Sequence, residues 1–164
     1  MPLILIFILI LLIIIILALE KKNITGSHRS HLEHNVIEVL EEITGRRFYP
    51  AYPEWLKDPK TGVQLELDGY NEDLKLAVEV QGPGHYRPYD AETIAEYNER
   101  VERDKLKKKL CQDHGINLLQ FDYRIPIYVA RPYIMSRLYD YGIIQDRPKN
   151  YSPEVNKRPW QVND

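Results

Sequence analysis

A single cysteine, Cys111, stands among 164 residues. That scarcity excludes an intramolecular disulfide framework and a cysteine-rich zinc site, and it fits a reducing compartment best. Net charge is scarce too. The 22 Lys and Arg residues against 24 Asp and Glu leave −2, so there is no global basic field of the kind that holds nucleic acid through bulk charge. Any contact with nucleic acid must be local. There is no internal repeat, and no low-complexity tract beyond the N-terminal segment. Residues 1–19 carry no charge at all, and Leu3 to Leu19 is an unbroken apolar run.

At ~1.5 Å rise per residue, that run spans most of a ~30 Å hydrocarbon layer. It has neither the positive n-region nor the small-residue cleavage site of a signal peptide. Lys21, Lys22 and Arg29 follow it, and this bias places the C-terminal side in the cytoplasm. Residues 1–20 therefore read as a transmembrane anchor, 21–29 as a linker, 30–145 as one soluble domain and 146–164 as a polar tail. The expectation is a single-pass membrane protein with a cytoplasmic C-terminal domain. The sequon Asn23-Ile24-Thr25 lies too near the membrane, on the cytoplasmic side, and reads as chance.

From Ser30 the pattern is that of a folded domain. Ser30-His31-Leu32-Glu33 has capping-box form, and Leu32, Val36, Val39, Leu40 and Ile43 recur at helical spacing until Gly45, which predicts a helix to about Thr44. A loop rich in proline and aromatics follows, Arg46 to Trp55. Alternation then predicts two strands, Val63 to Gly69 and Leu74 to Gln81, joined as a hairpin. A long charged helix is expected from an Asp90 cap to about His114, and Gly115 stops it. Ile116 to Tyr123 reads as a buried strand, parallel to a partner because it follows a helix. Pro132 opens a last helix that Gly142 ends.

The hairpin carries the chemistry. Period-two geometry puts Glu66 and Asp68 on one face of its first strand, and Glu79 and Gln81 on one face of its second. A tight turn near Asn71-Glu72 sets Asp68 across from Lys75; a looser one near Asp73-Leu74 sets it across from Glu79. In the looser register two carboxylates converge, and a hard cation such as Mg²⁺, which takes one or two protein carboxylates plus water and phosphate, relieves their repulsion. Such an ion activates water for phosphodiester hydrolysis. The same alternation also describes a solvated sheet face on which Lys75 pairs with Glu66, Asp68 or Glu79. Leu74 to Val80 is mostly apolar and reads as a central strand. Glu79 and Gln81 then stand at its C-terminal end, where open α/β sheets bind ligands, next to Gly82-Pro83-Gly84, which permits close backbone approach.

The blocks Leu65-Glu66-Leu67-Asp68-Gly69-Tyr70, Leu74 to Gly82 and His85-Tyr86 resemble the D…ExK core of the PD-(D/E)xK superfamily. They are most similar to the restriction-endonuclease-like, Vsr-type proteins encoded by large DNA viruses and some microbes. The resemblance extends to Ser30 to Glu33, to Trp55-Leu56 and Pro59 to Gly62, and to Arg103 to Lys107 through Gly115 to Leu118. It implies a restriction-endonuclease-like α/β fold, a central mixed sheet flanked by helices and preceded here by the anchor helix. It also implies that Asp68 and Glu79 ligate Mg²⁺, or Mn²⁺ in its place. Glu33 corresponds to a first-helix acid that approaches the metal through water, although a capping box alone also explains a Glu there. Gln81 stands where the superfamily usually has lysine; an amide can orient water but cannot supply a positive charge.

His85 is a candidate proton shuttle or phosphate contact. Arg103 and Lys107, one turn apart, are expected on a nucleic-acid backbone, unless they belong to a solvated helix face. Arg46, Arg47 and Tyr49 join Tyr52 and Trp55 as cationic and stacking groups suited to single-stranded or distorted DNA. The expected function is a metal-dependent endonuclease acting on DNA ahead of RNA, with a homodimer among the partners and the membrane engaged through residues 1–19. The alternative is a catalytically silent, membrane-tethered DNA-binding or scaffold module, which the Gln81 substitution favours.

Overall fold

The computed structural model describes residues 30–148. The apolar run from Leu3 to Leu19, and with it the expected anchor, lies outside the described residues, as does 149–164 of the expected tail. Among the described residues no helix is long and apolar enough to cross a membrane.

The first helix, α1, spans His31–Thr44. The Ser30 hydroxyl accepts from the Glu33 N–H at 3.2 Å and a Glu33 carboxylate oxygen accepts from the Ser30 N–H at 3.3 Å, a reciprocal cap of about 1 kcal/mol. Gly45, at φ +64°, closes it. Strand β1, Tyr49–Ala51, falls in the stretch expected to be loop, because three residues are too few to display an alternation. Strands β2, Leu67–Asn71, and β3, Leu76–Gln81, form the expected hairpin. Its first strand starts later than Val63, since residues 58–65 fold into an arm in which the Leu65 N–H returns to the Leu56 carbonyl.

Helix α2 spans Ile94–Asp113 and is capped by Thr93 instead of Asp90. Thr93 has Glu96 three residues on and closes a reciprocal box with it; Asp90 has Thr93 at that position and cannot. Strand β4, Asn117–Asp122, pairs parallel with β3 along six residues. A 3₁₀ turn over Ile127–Val129 leads into α3, Ala130–Asp140, with Pro132 in its first turn.

The strand order is β1-β2-β3-β4, with the first two pairings antiparallel and the last parallel. The result is an α/β domain with a mixed four-stranded sheet flanked by helices on both faces, and β3 is central as its apolar run implies. On one face Leu76, Val78, Leu119 and Phe121 pack against Val36, Ile37 and Leu40 of α1 and Ile134 and Leu138 of α3. On the other, Ala77, Leu67 and Leu118 meet Leu106, Leu110 and Cys111 of α2. Gly69 makes the first contact possible: a Cβ there would lie 2.7 Å from both Ile37 Cδ1 and Val78 Cγ1. The outer edge of β4 is covered by two tyrosine hydroxyls, Tyr133 of α3 donating to the Gln120 carbonyl at 2.8 Å and Tyr141, just past its end, to the Leu118 carbonyl at 2.9 Å. Acceptors engaged in this way are not offered to a foreign strand.

Candidate active site

The hairpin adopts the looser register, with Gly69 opposite Val78, Tyr70 opposite Ala77 and Asn71 opposite Leu76, so continuation of the pairing sets Asp68 opposite Glu79. Lys75 sits exposed in the turn at φ +47°. Between its pairings Tyr49 with Tyr70 and Ala51 with Leu67, β1 advances two residues while β2 advances three. The extra residue is a bulge beside Asp68, and bulges re-aim side chains. The Val80 N–H donates to Asp68 Oδ2 at 2.7 Å, so a carboxylate, not a strand carbonyl, takes the next rung of the ladder.

Glu79 is only 5% exposed, and burial decides its chemistry. Burial pushes its carboxyl up, with Asp68 adding to the effect against the pull of Lys107, to about 7. Asp68 is also raised, first by burial, while the Val80 N–H, Lys107 and His85 pull it down. The expectation that only a divalent ion relieves this pair needs correcting. Lys107 Nζ donates to both Glu79 oxygens, at 3.0 and 2.8 Å, and its side chain is 17% exposed. In this structure Lys107 is the counter-ion of Glu79.

Lys107 reaches Glu79 because one face of α2 carries Arg100, Asp104 and Lys107 at helical spacing, in line with the buried Cys111 that packs on the sheet. Asp104 Oδ2 lies 2.6 Å from His85 Nδ1, both side chains being about four-fifths buried. A carboxylate accepts, so His85 donates from Nδ1 to Asp104 and keeps Nε2 for another partner. Asp104 is near enough to Glu79 to add to its raised carboxyl. Arg100 donates to the Gly84 carbonyl at 3.1 Å and forks onto Glu92, pinning the His85 turn against α2. Burial, then Glu79, pushes the Cys111 thiol up to about 11, which leaves it protonated and inert.

Gln81 points to a different group. The Tyr86 hydroxyl lies 2.7 Å from Gln81 Oε1 and 2.6 Å from Asp122 Oδ2. The phenolic hydroxyl is the donor toward both oxygens, and the Asp122 anion is the stronger of the two acceptors. Arg124 forks onto Asp122 at 2.9 and 2.6 Å and lies 3.6 Å from the centroid of the Tyr86 ring. Gln81 is thus engaged at the C-terminal ends of β3 and β4.

Asp68, Glu79, His85 and Lys107, candidates from the sequence, meet in one place. Others do not join them. Glu33 bonds the Ser30 backbone as a cap. Arg103 is exposed and lines a groove of about 890 Å³ between α2 and the 58–65 arm, with Lys60, Val63 and Glu99. Arg47 pairs with Glu41 at 2.6 Å, Arg46 is exposed, and Tyr49 is 66% exposed on β1. Trp55 packs on Tyr70 and stacks on His114. Asp104 escaped the sequence reading; its only signal there is its spacing from Lys107 and from apolar Cys111.

Two carboxylates form an all-oxygen donor pair suited to Mg²⁺, whose remaining positions go to water and phosphate. Among the described residues no group of three or more His, Cys, Asp or Glu side chains is arranged to hold a metal ion. The residues fit the ion provided that Lys107 yields Glu79.

No family model matches the chain, and no solved structure does. Over 107 residues it is 35% identical to Uncharacterized protein 033L of Invertebrate iridescent virus 3, covering 63% of this chain and 55% of that protein. It is 36% identical over 86 residues to Uncharacterized protein 094L of Frog virus 3, covering 51% and 56% respectively. Uncharacterized protein 307L of Invertebrate iridescent virus 6 is 34% identical over 92 residues, covering 50% and 47%. The chain spans about half the length of the curated relatives it matches.

Proposed function

We propose that this chain is a Mg²⁺-dependent nuclease of restriction-endonuclease-like fold that hydrolyses phosphodiester bonds in DNA, held at a membrane through residues 1–19. The observation that carries the reading is the placement of a buried carboxylate, Glu79, and a half-buried one, Asp68, opposite each other on adjacent strands, toward the C-terminal end of the central strand. Burying two like charges together is costly unless something cationic is meant to share them. Mg²⁺, or Mn²⁺, would polarise the scissile phosphate and lower the pKa of a bound water. Asp68 and Glu79 would hold the ion. His85, with Nδ1 committed to Asp104, offers Nε2 to take the proton of the attacking water. Gln81, tied to Tyr86, orients the end of β3 and supplies no charge; the ammonium nearest the carboxylates is that of Lys107.

The Lys107–Glu79 ion pair also favours a second reading, a catalytically silent DNA-binding or scaffold module in which the ammonium permanently replaces the metal. The deciding experiment uses the full-length protein in detergent micelles with plasmid, single-stranded DNA and RNA, each with and without Mg²⁺. Cleavage that requires metal supports the nuclease; intact substrates under every condition support the silent module.

A further inference from the structure

We propose that Lys107 is a displaceable counter-ion: its ammonium holds the cation's place on Glu79 in the metal-free protein, and metal entry shifts it toward the phosphate of a bound phosphodiester. This inference rests on the nuclease reading and adds to it the residue that supplies positive charge to the substrate.

The geometry supports displacement in three respects. First, both Glu79 oxygens accept from the one ammonium, so a metal ion arriving at that carboxylate competes with Lys107 for the same lone pairs and brings a second cation up against the first. Second, charge balance changes sign. Asp68 and Glu79 carry −2 when ionised, Lys107 leaves −1, and a divalent ion leaves zero with the ammonium to spare beside an incoming anion. Third, a lysine is built to move. Its ammonium is a point charge on a flexible four-carbon stem, unlike a planar guanidinium locked by two parallel bonds, and its side chain retains a 17% opening to solvent. The other acid on the same face of α2, Asp104, is already engaged by His85 and is not waiting to receive the released ammonium.

The test uses the full-length protein in detergent micelles without nucleic acid. Mn²⁺ binding is measured by calorimetry for wild type, Lys107→Met and Lys107→Arg, with folding of each checked by thermal unfolding, and the Lys107 ammonium is followed by ¹⁵N NMR during Mg²⁺ titration. Displacement predicts at least tenfold tighter Mn²⁺ binding by Lys107→Met, binding no tighter than wild type by Lys107→Arg, and a Lys107 ammonium signal that shifts with one equivalent of Mg²⁺. A lysine that merely braces the fold predicts weaker binding by Lys107→Met. Equal or weaker binding by that variant, or an unmoved ammonium signal at saturating Mg²⁺ in a protein that binds the ion, overturns displacement and leaves the metal site standing. Absence of binding in all three proteins overturns both.

Discussion

His85 Nδ1 and Asp104 Oδ2 stand 2.6 Å apart, one on the turn that follows β3 and the other midway along α2. The contact ties the turn to the helix that follows it and commits one imidazole nitrogen to Asp104, leaving the other for a different partner. Under the proposed reading, His85→Gln removes the proton acceptor and lowers single-turnover cleavage by about 10²- to 10⁴-fold. Asp104→Asn leaves the ring present and unoriented, with a loss of about 10- to 100-fold. A wild-type rate in His85→Gln would take the imidazole out of the chemistry.

Asp68→Asn and Glu79→Gln preserve shape and remove one charge each. Both are expected to reduce metal-dependent DNA cleavage to background, a loss of at least about 10²-fold, with far-UV circular dichroism unchanged. Undiminished cleavage by both purified variants rules out the assignment.

Glu79 also predicts a pH dependence of stability in chelator. Its carboxyl sits at about 7 in the fold against an ordinary 4.5, so folding favours its protonated form. Its contribution is complete below about 4.5 and is lost as pH rises through about 7, on the order of 3 kcal/mol in all. Asp68, raised by the same burial, acts in the same direction. Urea midpoints of the metal-free protein should fall from pH 5 to pH 8, and Glu79→Gln should flatten that slope; a variant with the wild-type slope would place the titration elsewhere.

Gly69 should be intolerant of a methyl group. Its Cβ would meet Ile37 and Val78 at 2.7 Å, which forces α1 off the sheet beside Asp68; Gly69→Ala is expected to cost about 1–3 kcal/mol. Gly82→Ala, where a Cβ meets nothing within 4 Å, is the matched control. Equal melting temperatures for the two variants would contradict the close packing of α1 on β2.

The sequence by itself determined the features whose causes are local. Ser30, Glu33 and Gly45 mark both ends of α1 because caps act within four residues. The apolar run of β3 identifies a central strand, and a helix between β3 and β4 implies their parallel pairing. The convergence of Asp68 with Glu79 was legible as one of two registers, and the choice fell to tertiary structure because the turn chemistry admits both. Strand β1 and the bulge beside Asp68 exist only through pairing partners. The clearest case is α2. Its charges surround the helix, so no stripe in the sequence declares which face is inward; docking against Ala77 and Leu118 decides it, and that rotation sends Lys107 to Glu79 and Asp104 to His85 while leaving Arg103 in solvent. Local propensity specifies an element, but the direction in which its side chains point depends on the surface it packs against.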